Sequence, residues 1–163
     1  MTERTKLMLV GGLVSGLIGY GTVVLVVSLL NVLGGRSPFY TAALFGSTLF
    51  YGLRDPGSLV IEPGPVLAYN MVHMVAFLGI GFVASWLVAV AERYPATQYL
   101  VLVVLIFVAF HIFAALVLFA EPLLGEKAWL IVGVAGVAAA VMMGWYLLKT
   151  HPLLLAELEQ IPM

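Results

Sequence analysis

Four long apolar runs dominate the sequence, and the charged residues fall between them. The runs cover residues 7–33, 65–91, 99–120 and 128–148. A helix needs about 20 apolar residues to cross the hydrocarbon core of a bilayer, and each run reaches that length. Charged or turn-forming residues bound every run, so the pattern predicts four transmembrane helices.

The segment between the first two runs has a different pattern. Residues 37–52 read SPFYTAALFGSTLFYG, with Ser37 as the expected N-cap, Pro38 at the first helical position and Gly52 as the expected C-cap. At roughly 1.5 Å per residue this helix would be about 22 Å long, which is short for a core of about 30 Å. We therefore expect an interfacial or re-entrant helix packed on the bundle. A short fifth span is the alternative.

Composition agrees with a lipid environment. Hydrophobic residues make up 63% of the 163 residues and charged residues 9%, whereas soluble domains have about 25% charged residues. We therefore predict an all-α fold, a polytopic membrane helical bundle that forms one integral membrane domain over residues 1–163. The first run is longer than the apolar core of a signal peptide, so we expect it to be retained as a helix.

Charge adds two expectations. The net charge is −1, so no basic surface suggests nucleic acid as a partner. In the four-span arrangement, four Lys or Arg residues lie at the end that carries the N-terminus and three at the other end, which slightly favours a cytoplasmic N-terminus.

We expect the membrane to be a prokaryotic plasma membrane. The chain has no cysteine, which excludes disulfides, thiolate metal sites and iron–sulfur clusters.

Small residues form stripes at helical spacing in two of the predicted spans. Small side chains let helix backbones approach closely, and this packing drives helix association in lipid. The stripes predict contacts either inside the bundle or with other membrane protein subunits or copies of the chain. Their members are Gly12, Ser15, Gly16 and Gly19 in the first span, and Gly133, Gly136, Ala140 and Gly144 in the fourth.

Two histidines lie inside predicted spans, His73 in the second and His111 in the third. If these helices are antiparallel neighbours, the two imidazoles lie at similar depth. A neutral imidazole can donate a lone pair to a metal, so the pair is a candidate site for haem or a chlorophyll-type pigment. The alternatives are ordinary hydrogen bonding across the bundle and proton or ion handling.

The motifs of soluble enzyme families do not occur in the sequence. It contains no Walker, Rossmann or zinc-protease pattern, and no set of nucleophile, base and orienting residue. We therefore expect a small non-catalytic membrane protein, an accessory or structural subunit of a larger respiratory or photosynthetic complex. The alternatives are a haem- or pigment-binding subunit for electron transfer or light harvesting that uses His73 and His111, and a small oligomeric channel or transporter.

Overall fold

The computed structural model describes residues 3–94 and 98–151, which form helices, turns and loops without a strand. In chain order, the α-helices are α1 (Glu3–Leu33), α2 (Tyr40–Tyr51), α3 (Pro63–Arg93), α4 (Gln98–Leu124) and α5 (Ala128–Thr150). The four predicted spans therefore fall on α1, α3, α4 and α5, and the predicted short helix falls on α2.

Among the described residues, three helices are long and apolar enough to cross a membrane. They contribute the segments Thr5–Leu33, Pro63–Arg93 and Ala128–Thr150. In α4 the apolar helix found among the described residues is Ala109–Leu124, which is shorter than a span. The structure thus gives a helical membrane bundle with three candidate spans, one fewer than the four expected, and the crossing by α4 stays a prediction.

Helix α1 is at the centre of the bundle, between α3 and α5. It runs antiparallel to α3, because Ser85 near the end of α3 donates a hydrogen bond to the carbonyl of Met8 near the start of α1 (2.9 Å). Further along, the Tyr20 hydroxyl of α1 donates to Oδ1 of Asn70, nearer the start of α3 (3.0 Å). Because the two helices are antiparallel, the segment between them begins and ends at the same end of the bundle.

Helix α2 lies in that segment, against the start of α3. It ends as expected, because Gly52 adopts a left-handed conformation (φ 72°) that favours glycine, and its N–H bonds to the carbonyl of Ser47. It begins at Tyr40 rather than just after Ser37. The intervening residues form a turn, in which the Ser37 carbonyl accepts the N–H of Tyr40 (3.0 Å) and the Ser37 hydroxyl accepts the N–H of Phe39 (3.3 Å).

Helix α4 packs mainly on α5 and only lightly on α3, which precedes it in the chain. Its last turns join a small buried cluster in which Ala120 of α4 meets Phe45 of α2 and Ala128 of α5. The short connection between α3 and α4 constrains only the adjoining ends of the two helices. It therefore does not ensure that they pack along their length.

Candidate functional site

The first small-residue stripe lies in the contact between α1 and α3. A Cβ added to Gly16 would lie 2.7 Å from the carbonyl oxygen of Phe77 and 2.8 Å from the Cα of Leu78. A Cβ on Gly12 would meet Phe82 in the same way. The two backbones therefore approach as closely as small residues allow in membrane helix pairs.

Polar side chains share this contact. Ser15 of α1 is fully buried, and its hydroxyl lies within hydrogen-bond distance of the carbonyls of Gly12 (3.2 Å) and Gly81 (3.4 Å). Ser85 of α3 is also fully buried and donates to α1. These hydroxyls bond to backbone carbonyls in the contact, so the α1–α3 pair combines close packing with satisfied polar groups.

The contact between α1 and α5 borders the contact with α3. A Cβ on Gly19 would meet the sulfur of Met143 of α5 and the ring of Phe77 of α3. A Cβ on Gly11, a residue outside the expected stripe, would lie 2.9 Å from Oγ of Ser85 of α3 and 4.0 Å from Leu147 of α5. Small residues of α1 therefore lie next to both neighbouring helices, which agrees with its central position.

The second small-residue stripe, on α5, is mostly open. Gly133 lies near the ring of Phe113 of α4, with 3.5 Å from an added Cβ to the nearest ring carbon. Among the described residues, a Cβ added to Gly136 or Gly144 would have no heavy atom within 4 Å, and Ala140 between them is exposed. The helix instead faces α1 with Ala135, Ala139, Met143 and Leu147, which are buried.

His73 lies inside the bundle, in an aromatic environment. Its ring stacks on Tyr69 (centroids 5.2 Å apart) and meets Tyr20 of α1 and Phe77 at 6.2 and 5.1 Å. Its Nε2 is buried and has no hydrogen-bond partner in the described part of the chain. A buried nitrogen of this kind is a candidate for binding a water molecule or another small polar group.

His111 has the opposite environment, because its side chain is exposed on α4. Its Nδ1 lies 2.8 Å from the carbonyl oxygen of Phe107, one turn earlier in the same helix. The rings of Phe107 and Phe110 lie 4.0 and 5.8 Å from the imidazole centroid. These ring contacts and the hydrogen bond all come from α4 itself.

The two histidines do not meet in the described structure. His73 contacts Tyr20 of α1 inside the bundle, whereas His111 is exposed on α4. One ring therefore faces α1 while the other faces outward.

Sequence patterns alone did not point to two polar contacts and one aromatic contact. Asn31 near the end of α1 is buried, accepts the Thr41 hydroxyl of α2 (2.9 Å) and donates to the Pro38 carbonyl (3.3 Å). Tyr20 bonds to Asn70, and Phe45 stacks between two helices. Single Asn, Tyr and Phe residues carry no spacing signal, although a polar residue in an apolar helix is itself a sign of a specific partner.

No protein-family model, curated protein or solved structure matches this chain.

Proposed function

We propose that this protein is a non-catalytic accessory subunit of a larger membrane assembly, such as a respiratory or photosynthetic complex. In this proposal α1, α3, α4 and α5 cross the bilayer, and α2 does not. The antiparallel α1–α3 pair supports this topology, because a crossing by α2 would make α1 and α3 parallel. The 27-residue length of α4 also supports it.

The open stripe on α5 is the observation that carries the proposed role. Gly136, Ala140 and Gly144 follow one another at four-residue spacing, and no other part of the described fold covers them. Small residues on a membrane helix allow a second helix to approach closely. We infer that a helix of another subunit packs here, while the neighbouring stripe of α5 faces α1.

The exposure of α4 supports the same role. Among its described side chains only Ala120 is buried, and large apolar residues are exposed around most of the helix, including Val103, Ile106, Phe110, Ile112, Leu116 and Leu118. Lipid can cover such a surface. The exposed described residues of α4 also offer a surface to a neighbouring subunit.

The experiment is to tag the chain at its native expression level and extract it from its own membranes in mild detergent. We expect a particle well above the 17.5 kDa of one chain that contains defined other polypeptides. Gly136→Leu should release the chain as a monomer, because a bulky side chain prevents the close approach of a partner helix. Val75→Leu, at an exposed position of α3, is the matched control and should leave the particle intact.

Three results would contradict the proposal. The first is a stable monomer in mild detergent from native membranes. The second is a particle made only of copies of this chain, which would favour the oligomeric channel or transporter. The third is equal assembly of the Gly136→Leu and Val75→Leu variants, which would show that the α5 stripe is not the contact.

A further inference from the structure

His111 lies on the outer side of α4, away from the rest of the bundle. Phe113 marks the side of α4 that faces α5, because its ring lies against Gly133. The two residues are two positions apart, which is about 200° of rotation around an α-helix. The imidazole therefore projects to the surroundings of the bundle, and its exposure agrees with this placement.

The hydrogen bond of His111 fixes which nitrogen carries the proton. A carbonyl oxygen only accepts, so the 2.8 Å contact with the Phe107 carbonyl requires a proton on Nδ1. In the neutral ring the lone pair is then on Nε2, on the far side of the imidazole. Histidines that bind metals commonly have this arrangement, with the other ring N–H donated to a carboxylate or a backbone carbonyl.

The depth of His111 makes that free lone pair unusual. The residue is thirteen positions from both ends of α4, which is about 20 Å from each end. If α4 crosses the bilayer, Nε2 lies near the middle of the hydrocarbon, where lipid tails offer no donor. Polar groups at this depth are rare and usually have a partner.

The number of available ligands decides which metal partner would fit. Within residues 3–94 and 98–151, no three His, Cys, Asp or Glu side chains come together. A bare metal ion needs several protein ligands, whereas a metal already held in a planar macrocycle needs only an axial one. We propose that Nε2 of His111 is the axial ligand of a haem- or chlorophyll-type macrocycle on the outer face of α4.

The surroundings of His111 fit a flat apolar ligand. The rings of Phe107 and Phe110 are 62% and 65% exposed and lie beside the imidazole. Three and four positions further along, on the same side of the helix, Ala114 and Ala115 have small side chains. The site uses one histidine, so His73, which is enclosed by its own aromatic neighbours, has no role in it. This assignment goes beyond the accessory-subunit proposal, and it rests on the crossing by α4 alone.

The test uses the full chain, expressed without added cofactor and purified in mild detergent. Ferric haem and zinc protoporphyrin are titrated in separately, with empty micelles as the blank, and the Soret band is followed. We expect saturable binding of one macrocycle per chain. Loss of an outer-shell partner of a ligating histidine weakens metal binding about 10–100-fold, so His111→Leu, which removes the ligand itself, should weaken it at least as much.

His73→Leu is the matched control, and it should bind as the wild type does. If His111→Leu fails to fold by circular dichroism, His111→Phe replaces it and keeps a flat ring at this position. The electron paramagnetic resonance spectrum of the ferric complex provides a second readout, because it reports a nitrogen ligand that the His111 variants lack.

Three results would overturn the assignment. They are no saturable binding of either macrocycle, equal binding by the wild type and the His111 variants, and loss of binding in His73→Leu as well. Either of the first two results would instead favour a hydrogen-bond donor from another subunit as the partner of Nε2. The third result would indicate that both His73 and His111 take part in binding the macrocycle. None of these results affects the assembly test, because the titration uses the isolated chain.

Discussion

The close approach of α1 and α3 gives a sharp prediction, for Gly81→Ala in α3. A methyl group at this position would lie 2.5 Å from the backbone nitrogen of Gly16 and 2.7 Å from its Cα. Carbon atoms pack without repulsion at about 3.5–4.0 Å, so α3 would have to move away from α1 by about 1 Å. Backbone atoms cannot rotate out of the way as a side chain can.

The magnitude follows from two opposing effects. Overpacking of this kind costs about 1–3 kcal/mol, and replacing glycine by alanine within a helix gains about 0.8–1 kcal/mol. The net loss in the free energy of unfolding is therefore up to about 2 kcal/mol, a factor of up to about 30 in the unfolding equilibrium. Relative to a glycine-to-alanine change without overpacking, the loss is about 1–3 kcal/mol. The 3.4 Å contact between the Ser15 hydroxyl and the Gly81 carbonyl would also be lost.

The assay is unfolding in mixed micelles of increasing SDS content, followed by circular dichroism and tryptophan fluorescence. Gly79→Ala is the matched control, since it lies on the same helix two residues away and an added Cβ there has no heavy atom within 4 Å. The control should be as stable as the wild type or slightly more stable. Equal stability of Gly81→Ala and Gly79→Ala would refute the close contact between α1 and α3.

Two further predictions concern the packing of α2. Phe45→Ala removes a ring that is 7% exposed and stacks on both α3 and α4. It should lower the free energy of unfolding by about 3–5 kcal/mol, measured in the same micelle assay, with exposed Phe39→Ala as a control that has little effect. Asn31→Ala leaves the Thr41 hydroxyl without its acceptor, which should cost about 1–3 kcal/mol and speed proteolysis within residues 34–39. Unchanged cleavage would argue that this bond does not hold α2 to α1.

The sequence predicted the helices well because hydrophobicity and helix-ending residues are local signals. The boundaries of α1, α3, α4 and α5 differ from the predicted spans by zero to four residues at each end. Gly52 ended α2 as expected, since a left-handed residue there favours glycine. The helix α2 begins two residues later than expected, at Tyr40, because Pro38 and Phe39 form a turn closed by the bond from the Tyr40 N–H to the Ser37 carbonyl.

The arrangement of the helices could not be read from the same signals. A short connection fixes where α3 and α4 meet, but it does not fix whether they pack together. Sequence position likewise gives the place of His73 and His111 along their helices, whereas the direction of each ring depends on the rotation of its helix against its neighbours. The Gly12–Gly16 and Gly136–Gly144 stripes looked alike in sequence, yet one lies against α3 and the other is open.

The topology is the central claim, and labelling of single cysteines tests it most directly, because the natural chain has none. Cysteines replace Ser37, Ser58 and Lys127 at one end of the bundle and Tyr94 and Thr150 at the other, and sealed vesicles are treated with a membrane-impermeant maleimide. The account predicts that the first three react from one side and the other two from the opposite side. Reaction of Ser37→Cys and Ser58→Cys from opposite sides would show that α2 crosses the membrane and would contradict the account.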